Sequence, residues 1–289
     1  MGELGGMYRA ERSGVLGGLS RVRAISLNDA HNFCALEQVG EEVAVILSLI
    51  REAHAALGVR PAGFRLSLRG PGQRYVGTDD QWRRAEELLR GALAGVDFVE
   101  APGDAAFYGP KIDIQIVDAA GRESTLSTVQ LDFDKPERFD LSYVDASGAR
   151  RRPVMVHRSL VGSMERLFAY LIEVHQGDFP PWYAPVQLVV LPVDPGDAAQ
   201  ADVADRLARD AVALGLRAEV DGGGSLGARV RDAARRRVPY VGVIGAREAA
   251  HGSVALRLRD GRVPGPLPVS DALALVGAVV ATRSADLLP

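Results

Sequence analysis

Two strand patterns in succession predict an α+β domain followed by an α/β domain. In the first half, Ile112, Ile114 and Ile116 alternate with Asp113, Gln115 and Val117. Thr128, Gln130 and Asp132 likewise alternate with Val129, Leu131 and Phe133. Strands with one apolar and one polar face suit an antiparallel sheet backed by a helix or two, not a βαβ repeat. After Val186, strands and helices alternate as in a three-layer α/β domain with a mixed or mainly parallel sheet. Between the halves, Phe179-Pro180-Pro181-Trp182-Tyr183-Ala184-Pro185 is stiff. The boundary is expected there, giving domains 1–184 and 185–289.

Met1 to Gly6 is short and Gly-rich, and the first strand is expected just after it. There Arg9 and Glu11 alternate with Tyr8 and Ala10, so they share a face. Ser13, Gly14, Gly17 and Gly18 make a mobile loop that a ligand can approach closely. Arg21 and Arg23 share one face of a second strand. In Leu36 to Leu57, Val39, Val43, Ile46, Leu47 and Ile50 recur at helical spacing, and Gly58 stops the helix. Phe64, Leu66 and Leu68 alternate with Arg65, Ser67 and Arg69, which reads as a strand. Thr78 or Asp79 caps a helix running to about Leu93. Val154 to Val156 is a strand that feeds a helix from near Ser163, with Leu167, Tyr170 and Leu171 on its buried side. In the second domain, strands are expected at 186–193, 217–220, 240–244 and 254–258. Helices are expected at 198–214, at 226–236 and from about Ser270.

Composition narrows the class. The net charge of −3 gives no global attraction to nucleic acid, so any RNA contact must come from a local basic patch. Lys111 and Lys135 are the only lysines among 34 basic residues, so the positive charge is almost all arginine. The single cysteine, Cys34, excludes an intrachain disulfide framework and fits a reducing cytoplasm. No apolar run is long enough to span a bilayer, and no signal-peptide pattern is present.

Three arginines and a glutamate on a Gly-rich hairpin suit a purine triphosphate. Guanidinium forks grip phosphate oxygens, and a carboxylate accepts from the adenine amino group. A solvated hairpin has the same pattern. Arg229, Arg231, Arg235, Arg236 and Arg237 form a basic run on a helix, which suits either a solvated face or the phosphates of a nucleic acid.

The run R-x-E-x-S-G, then G-L-x-R-V-R and D-A-H-x-F-C, resembles motif 2 of threonyl-tRNA synthetases. VHRSLVGSMERLFAYLIE (Val156 to Glu173) resembles their motif 3, and FYGPKIDIQ and LSTVQLDFDKPERFDLSYV between them are also similar. The resemblance implies a class II synthetase-like antiparallel sheet with helices, incomplete here, followed by an anticodon-binding α/β domain. It implies ATP-dependent activation of threonine and transfer to tRNA(Thr), in the cytoplasm, with ATP and Mg, no membrane and no DNA. Arg9 would bridge the amino-acid carboxylate and the α-phosphate, and Glu11 would read adenine. Arg21 would hold the outer phosphates. Arg166 would stack on adenine or grip the γ-phosphate, although beside Glu165 it also suits an exposed helix face. Asp29, Tyr108, Lys111 and Gln130 would line the same cleft, where alternation alone predicts an exposed sheet face. His31 and His157 match the family's zinc histidines, and Arg231, Glu248 and Arg257 fall where anticodon bases are read.

Departures from the family shape the expectation. The family's zinc cysteine lies upstream of motif 2, and Cys34 matches a different cysteine. Motif 1, which forms the family homodimer, is also expected to be missing, as are the editing and small N-terminal domains. Leu27 stands where the family has Gln, Asn28 where it has an acid, and Gly17 where it has His. Activity of the chain alone is therefore expected to be weak or absent. The alternatives are a non-catalytic paralogue that binds tRNA or a partner, and an amino-acid ligase of a biosynthetic pathway.

Overall fold

In the computed structural model, which describes residues 1–72 and 75–289, the chain opens as an antiparallel hairpin. Strand β1 (Gly2–Tyr8) runs against β2 (Ala24–Cys34), with Gly2 opposite Ala30 and Tyr8 opposite Ala24. The first strand therefore starts earlier than expected. The ladder to β2 satisfies the backbone of its glycines and overrides their weak strand preference. It also ends earlier. Arg9 to Arg23 lie beyond the paired strands, where one further bond, Arg9 N–H to Arg23 O at 2.7 Å, continues the hairpin. Arg9, Glu11, Arg21 and Arg23 are thus loop residues, not occupants of strand faces. Their loop is shaped by a turn at Ser13–Val15 and a bridge between Gly17 and Arg21.

Next come α1 (Val39–Leu57), β3 (Gly63–Leu68), α2 (Asp79–Ala92), β4 (Phe98–Pro102), β5 (Lys111–Val117) and β6 (Glu123–Asp132). Gly58 stops α1 in the left-handed region at φ 70°, which suits glycine. The Thr78 hydroxyl accepts from Gln81 N–H to cap α2. A short helix α3 (Asp134–Arg138) and a two-residue hairpin, β7 (Tyr143–Val144) with β8 (Arg150–Arg151), precede β9 (Val154–Ser159) and α4 (Met164–His175). The sheet has seven strands in the order β1-β2-β9-β6-β5-β3-β4. All pairs are antiparallel except β3 with β4, which are parallel. α2 crosses between those two, so one βαβ unit closes the edge of a sheet whose alternation argued against such units.

One face of this sheet carries the core. Val39, Val43, Ile46, Leu47 and Ile50 of α1 pack on Leu66, Ile112, Ile114, Val129, Leu131 and Val156. Burying each such side chain stabilises the fold by about 1.5–3 kcal/mol. The other face is polar but not open: Asp113, Gln115 and Asp132 are also buried.

The chain divides into units Met1–Val174 and His175–Pro289. The stiff Pro and aromatic stretch goes with the second unit, because Gln187 Nε2 donates to Pro181 O and Arg217 donates to Ala184 O and Trp182 O. That unit holds β10 (Leu188–Pro192), α5 (Ala198–Ala213), β11 (Ala218–Val220), α6 (Leu226–Arg235), β12 (Tyr240–Ile244), α7 (Ala246–His251), β13 (Ser253–Leu258), β14 (Gly265–Pro268) and α8 (Val269–Ala281). Its sheet order is β11-β10-β12-β13-β14. β10 is parallel to β11 and β12, and the remaining pairs are antiparallel, so the sheet is mixed. Leu188 and Val190 face α5 and α8, while Val189 and Leu191 face α6, which makes three layers. No helix among the described residues is long and apolar enough to cross a membrane.

Candidate active site

Strand parity decides which side chains reach the polar face. Alternate positions put Leu27, Asp29 and His31 there from β2, Lys111 and Asp113 from β5, Thr128 and Gln130 from β6, and His157 and Ser159 from β9. Most of these floor a cleft of about 540 Å³, and Tyr108, Arg9, Glu11, Arg21 and Arg166 wall it. His31 lies outside that lining but meets His157 directly. The two are paired across β2 and β9, with ring centroids 4.6 Å apart, edge to face.

Two glycines make the cleft floor possible. A Cβ on Gly109 would lie 1.9 Å from Leu131 O, and one on Gly162, at φ +66°, would lie 2.5 Å from Leu126 O. Asn28 ties the hairpin to the Gly162 loop: its N–H donates to Gly162 O, and its side-chain oxygen accepts from Leu160 N–H at 3.0 Å.

At one end of the cleft the charges are mostly positive. Arg21 donates to Glu11 Oε2 from Nε and Nη2 at 3.2 and 3.1 Å, and Arg23 donates to Glu11 O at 3.1 Å. Arg166 Nη1 donates to Thr125 O at 2.9 Å. Glu165 does not pair with it, because both Glu165 oxygens accept from Ser26 N–H at 3.0 Å. Burial, and then the charges of Arg9 and Arg21, hold the Arg166 guanidinium below its usual pKa. The Arg9 guanidinium has no hydrogen-bond or acidic partner among the described residues. A bound polyanion would relieve this crowding.

The other end is a polar network. Tyr108 O–H donates to Gln130 Oε1, Gln130 Nε2 donates to Thr128 Oγ1 at 3.1 Å, and Thr128 donates to Asp113 Oδ1 at 3.1 Å. Lys111 pairs with Asp113. His157 Nε2 lies 2.9 Å from Asp132 Oδ2, and Asp132 Oδ1 accepts from Lys135 N–H at 2.9 Å. His31 Nε2 is 3.7 Å from Asp29. Sequence reasoning missed Asp113, Asp132 and Thr128 as site residues. Their signal was available: they share strand parity with Lys111 and Gln130.

The residues present do not fit a complete zinc site. The two facing imidazoles are two donors, and among the described residues no group of three His, Cys, Asp or Glu side chains could hold a metal ion. Cys34 falls on the opposite strand face from His31 and packs against the core. Burial, with Glu42 and Glu37 adding to it, pushes its thiol up to about 11, which disfavours the thiolate a metal needs.

In the second unit the basic run separates into different roles. Arg229 is buried and donates to Pro192 O, Asp221 O and Val193 O, so it is a structural residue and not part of an RNA-facing patch. Arg235 pairs with Asp232, Arg236 with Glu219 and Asp232, and Arg237 with Asp178. Arg231 is exposed on α6 and Arg257 on β13. Arg257 pairs in register with Val241, whose face is the one α6 covers, so both arginines are on the α6 side of the sheet. Glu248 accepts from Gly245 N–H at 3.0 Å and so caps α7.

A family profile described as the tRNA synthetase class II core domain (G, H, P, S and T) matches residues 1–175, and one described as an anticodon binding domain matches residues 187–278. The threonine–tRNA ligase of Lactiplantibacillus plantarum is 47% identical over 260 residues, covering 88% of this chain and 39% of that one. That of Lactococcus lactis is 42% identical, covering 98% of this chain and 44% of that one. The chain thus spans about two fifths of the length of the curated relatives it matches. Among solved structures, the RNA binding domain of threonyl-tRNA synthetase from Cryptosporidium parvum superposes with a TM-score of 0.87 at 36% identity, covering 96% of this chain and 70% of that one. With core and anticodon domains matched in order, the chain belongs to the class II tRNA synthetases, among relatives named as threonine–tRNA ligases.

Proposed function

We propose that this chain forms the nucleotide and amino-acid cleft of a threonine–tRNA ligase, with the second domain gripping tRNA(Thr). The supporting observation is the division of one cleft into a guanidinium end and a hydrogen-bonding end. In this reading the threonine carboxylate attacks the α-phosphorus of ATP, the bond to pyrophosphate breaks, and threonyl adenylate forms. Arg9 and Arg166 are the catalytic residues: they align the two anions and offset charge on the phosphorus and the departing pyrophosphate. Glu11 accepts from the adenine amino group, and Arg21 holds the outer phosphates, whose charge Mg²⁺ would help to offset. Gln130 borders the nucleotide, while Asp29, Tyr108 and Lys111 contact threonine. Arg231, Glu248 and Arg257 read the anticodon, and the setting is the cytoplasm.

Adenylate formation by residues 1–289 alone is proposed to be weak. The chain spans about two fifths of its relatives, and His31 and His157 offer two donors where amino-acid orientation through a metal needs at least three. Zinc retained after dialysis should stay well below one per chain. Stoichiometric zinc would mean that another donor completes the site. The deciding experiment measures ATP binding and threonine-dependent ATP–pyrophosphate exchange. Saturable ATP binding that Arg9→Ala abolishes is expected, with exchange several orders of magnitude below a full-length relative. Binding indifferent to Arg9→Ala would sink the nucleotide reading. Robust exchange would overturn the reading of weak activity.

A further inference from the structure

Asp113 has no part in the roles assigned above, yet it is the point on which the hydrogen-bonding end of the cleft converges. It is 3% exposed on β5. Its Oδ2 accepts from Lys111 Nζ and from the Ser67 hydroxyl, the latter at 2.9 Å, and its Oδ1 accepts from the Thr128 hydroxyl at 3.1 Å. Thr128 Oγ1 in turn accepts from Gln130 Nε2, and Gln130 Oε1 accepts from Tyr108 O–H. Two adjacent register pairs, Lys111 with Gln130 and Asp113 with Thr128, bring these groups together.

Every hydrogen bond in the line runs towards the carboxylate. A carboxylate only accepts, whereas a hydroxyl or an amide does both. The Thr128 proton therefore points to Asp113, the Gln130 amide turns its nitrogen to Thr128, and the Tyr108 proton points to Gln130. What remains for the cleft is a lone pair on Tyr108 and the spare N–H donors of Lys111.

We infer that Asp113 is a positioning residue that sets the donor–acceptor polarity of the amino-acid end of the cleft, making Tyr108 an acceptor and Lys111 a fixed donor. This rests on the amino-acid reading of that end. An acceptor beside a donor matches an amino acid that brings an ammonium or hydroxyl N–H or O–H together with a carboxylate.

The test exploits the presence of only two lysines, Lys111 and Lys135. In the full chain without ligand, acylation of each amine is followed by mass spectrometry. Asp113→Asn removes the charge that holds the Lys111 ammonium, so its labelling rate should rise about tenfold while Lys135 stays unchanged. An unchanged Lys111 rate overturns the inference, whatever the cleft binds. A second pair of variants tests the relay itself. Thr128→Val cuts the line and should weaken threonine binding about tenfold without changing Lys111 labelling, and Thr128→Ser, which keeps the hydroxyl, should restore binding. Equal losses in both variants would overturn the relay. If Lys111 labelling responds as expected but the wild-type chain shows no threonine binding, the positioning role stands and the amino-acid reading fails.

Discussion

The cleft of the first unit and the α6 surface of the second both concentrate arginine, and they differ in what those arginines already touch. On α6 the densest basic run in the chain is largely committed. Arg229 is buried on backbone carbonyls, and Arg235, Arg236 and Arg237 each sit beside a carboxylate. In the cleft, Arg9, Arg21 and Arg166 come from three separated positions, and only Arg21 has an acidic partner, Glu11, among the described residues. Charge density along a sequence is therefore a poor guide to a binding face. Uncompensated charge brought together from distant segments is a better one.

The comparison can be broken most forcefully at Arg229. Arg229→Ala would strip three backbone carbonyls, that of Pro192 buried, of a donor and should destabilise the second unit by about 3 kcal/mol in thermal or urea melts. A variant that melts like wild type would return Arg229 to the surface patch. The next effect in size belongs to the cleft. Arg166→Ala should lower ATP affinity roughly 10- to 100-fold by titration calorimetry, with little change in melting, because its charge is held for a ligand and not for the fold. A large loss of stability without a loss of affinity would reverse that assignment.

The smallest effect separates neighbours on α6. Arg231→Ala should weaken tRNA binding and reduce the slope of log K against log salt by about 1. Arg235→Ala, whose side chain is 80% exposed and paired with Asp232, should change neither the slope nor the stability by more than about 0.5 kcal/mol. Equal salt slopes for the two variants would mean that ion pairing does not withdraw an arginine from RNA.

The legible parts of the fold carried local signals. Period-2 alternation marked β5 and β6, helical spacing with Gly58 marked α1, and Thr78 marked the start of α2. The elements that went unread had none. β1 begins in Gly2-Glu3-Leu4-Gly5-Gly6 because β2 lies beside it, and no local propensity announces that pairing. β14 (Gly265–Pro268) is rich in Gly and Pro, and it exists as a strand only through its bonds to β13. In the site, the arginines, histidines and Tyr108 stood out as residue types in recognisable order. Asp113 and Asp132 looked like ordinary exposed positions of a polar strand face.

By itself the sequence determined the two-domain order, the core face of each main strand and helix, and many of the side chains that line the cleft. Those follow from periodicity and from short runs of residues, which are local properties of the chain. Only the tertiary structure decided which charges are spent and which are free. Arg229 and Arg231 sit two residues apart on one helix, yet one is buried and locked on backbone carbonyls and the other faces solvent. Asp113 acquires its place because Ser67, Lys111 and Thr128 from three neighbouring strands deliver their protons to one buried carboxylate. Such convergence depends on strand register and sheet order, and those are settled by burying the apolar face of the whole sheet at once.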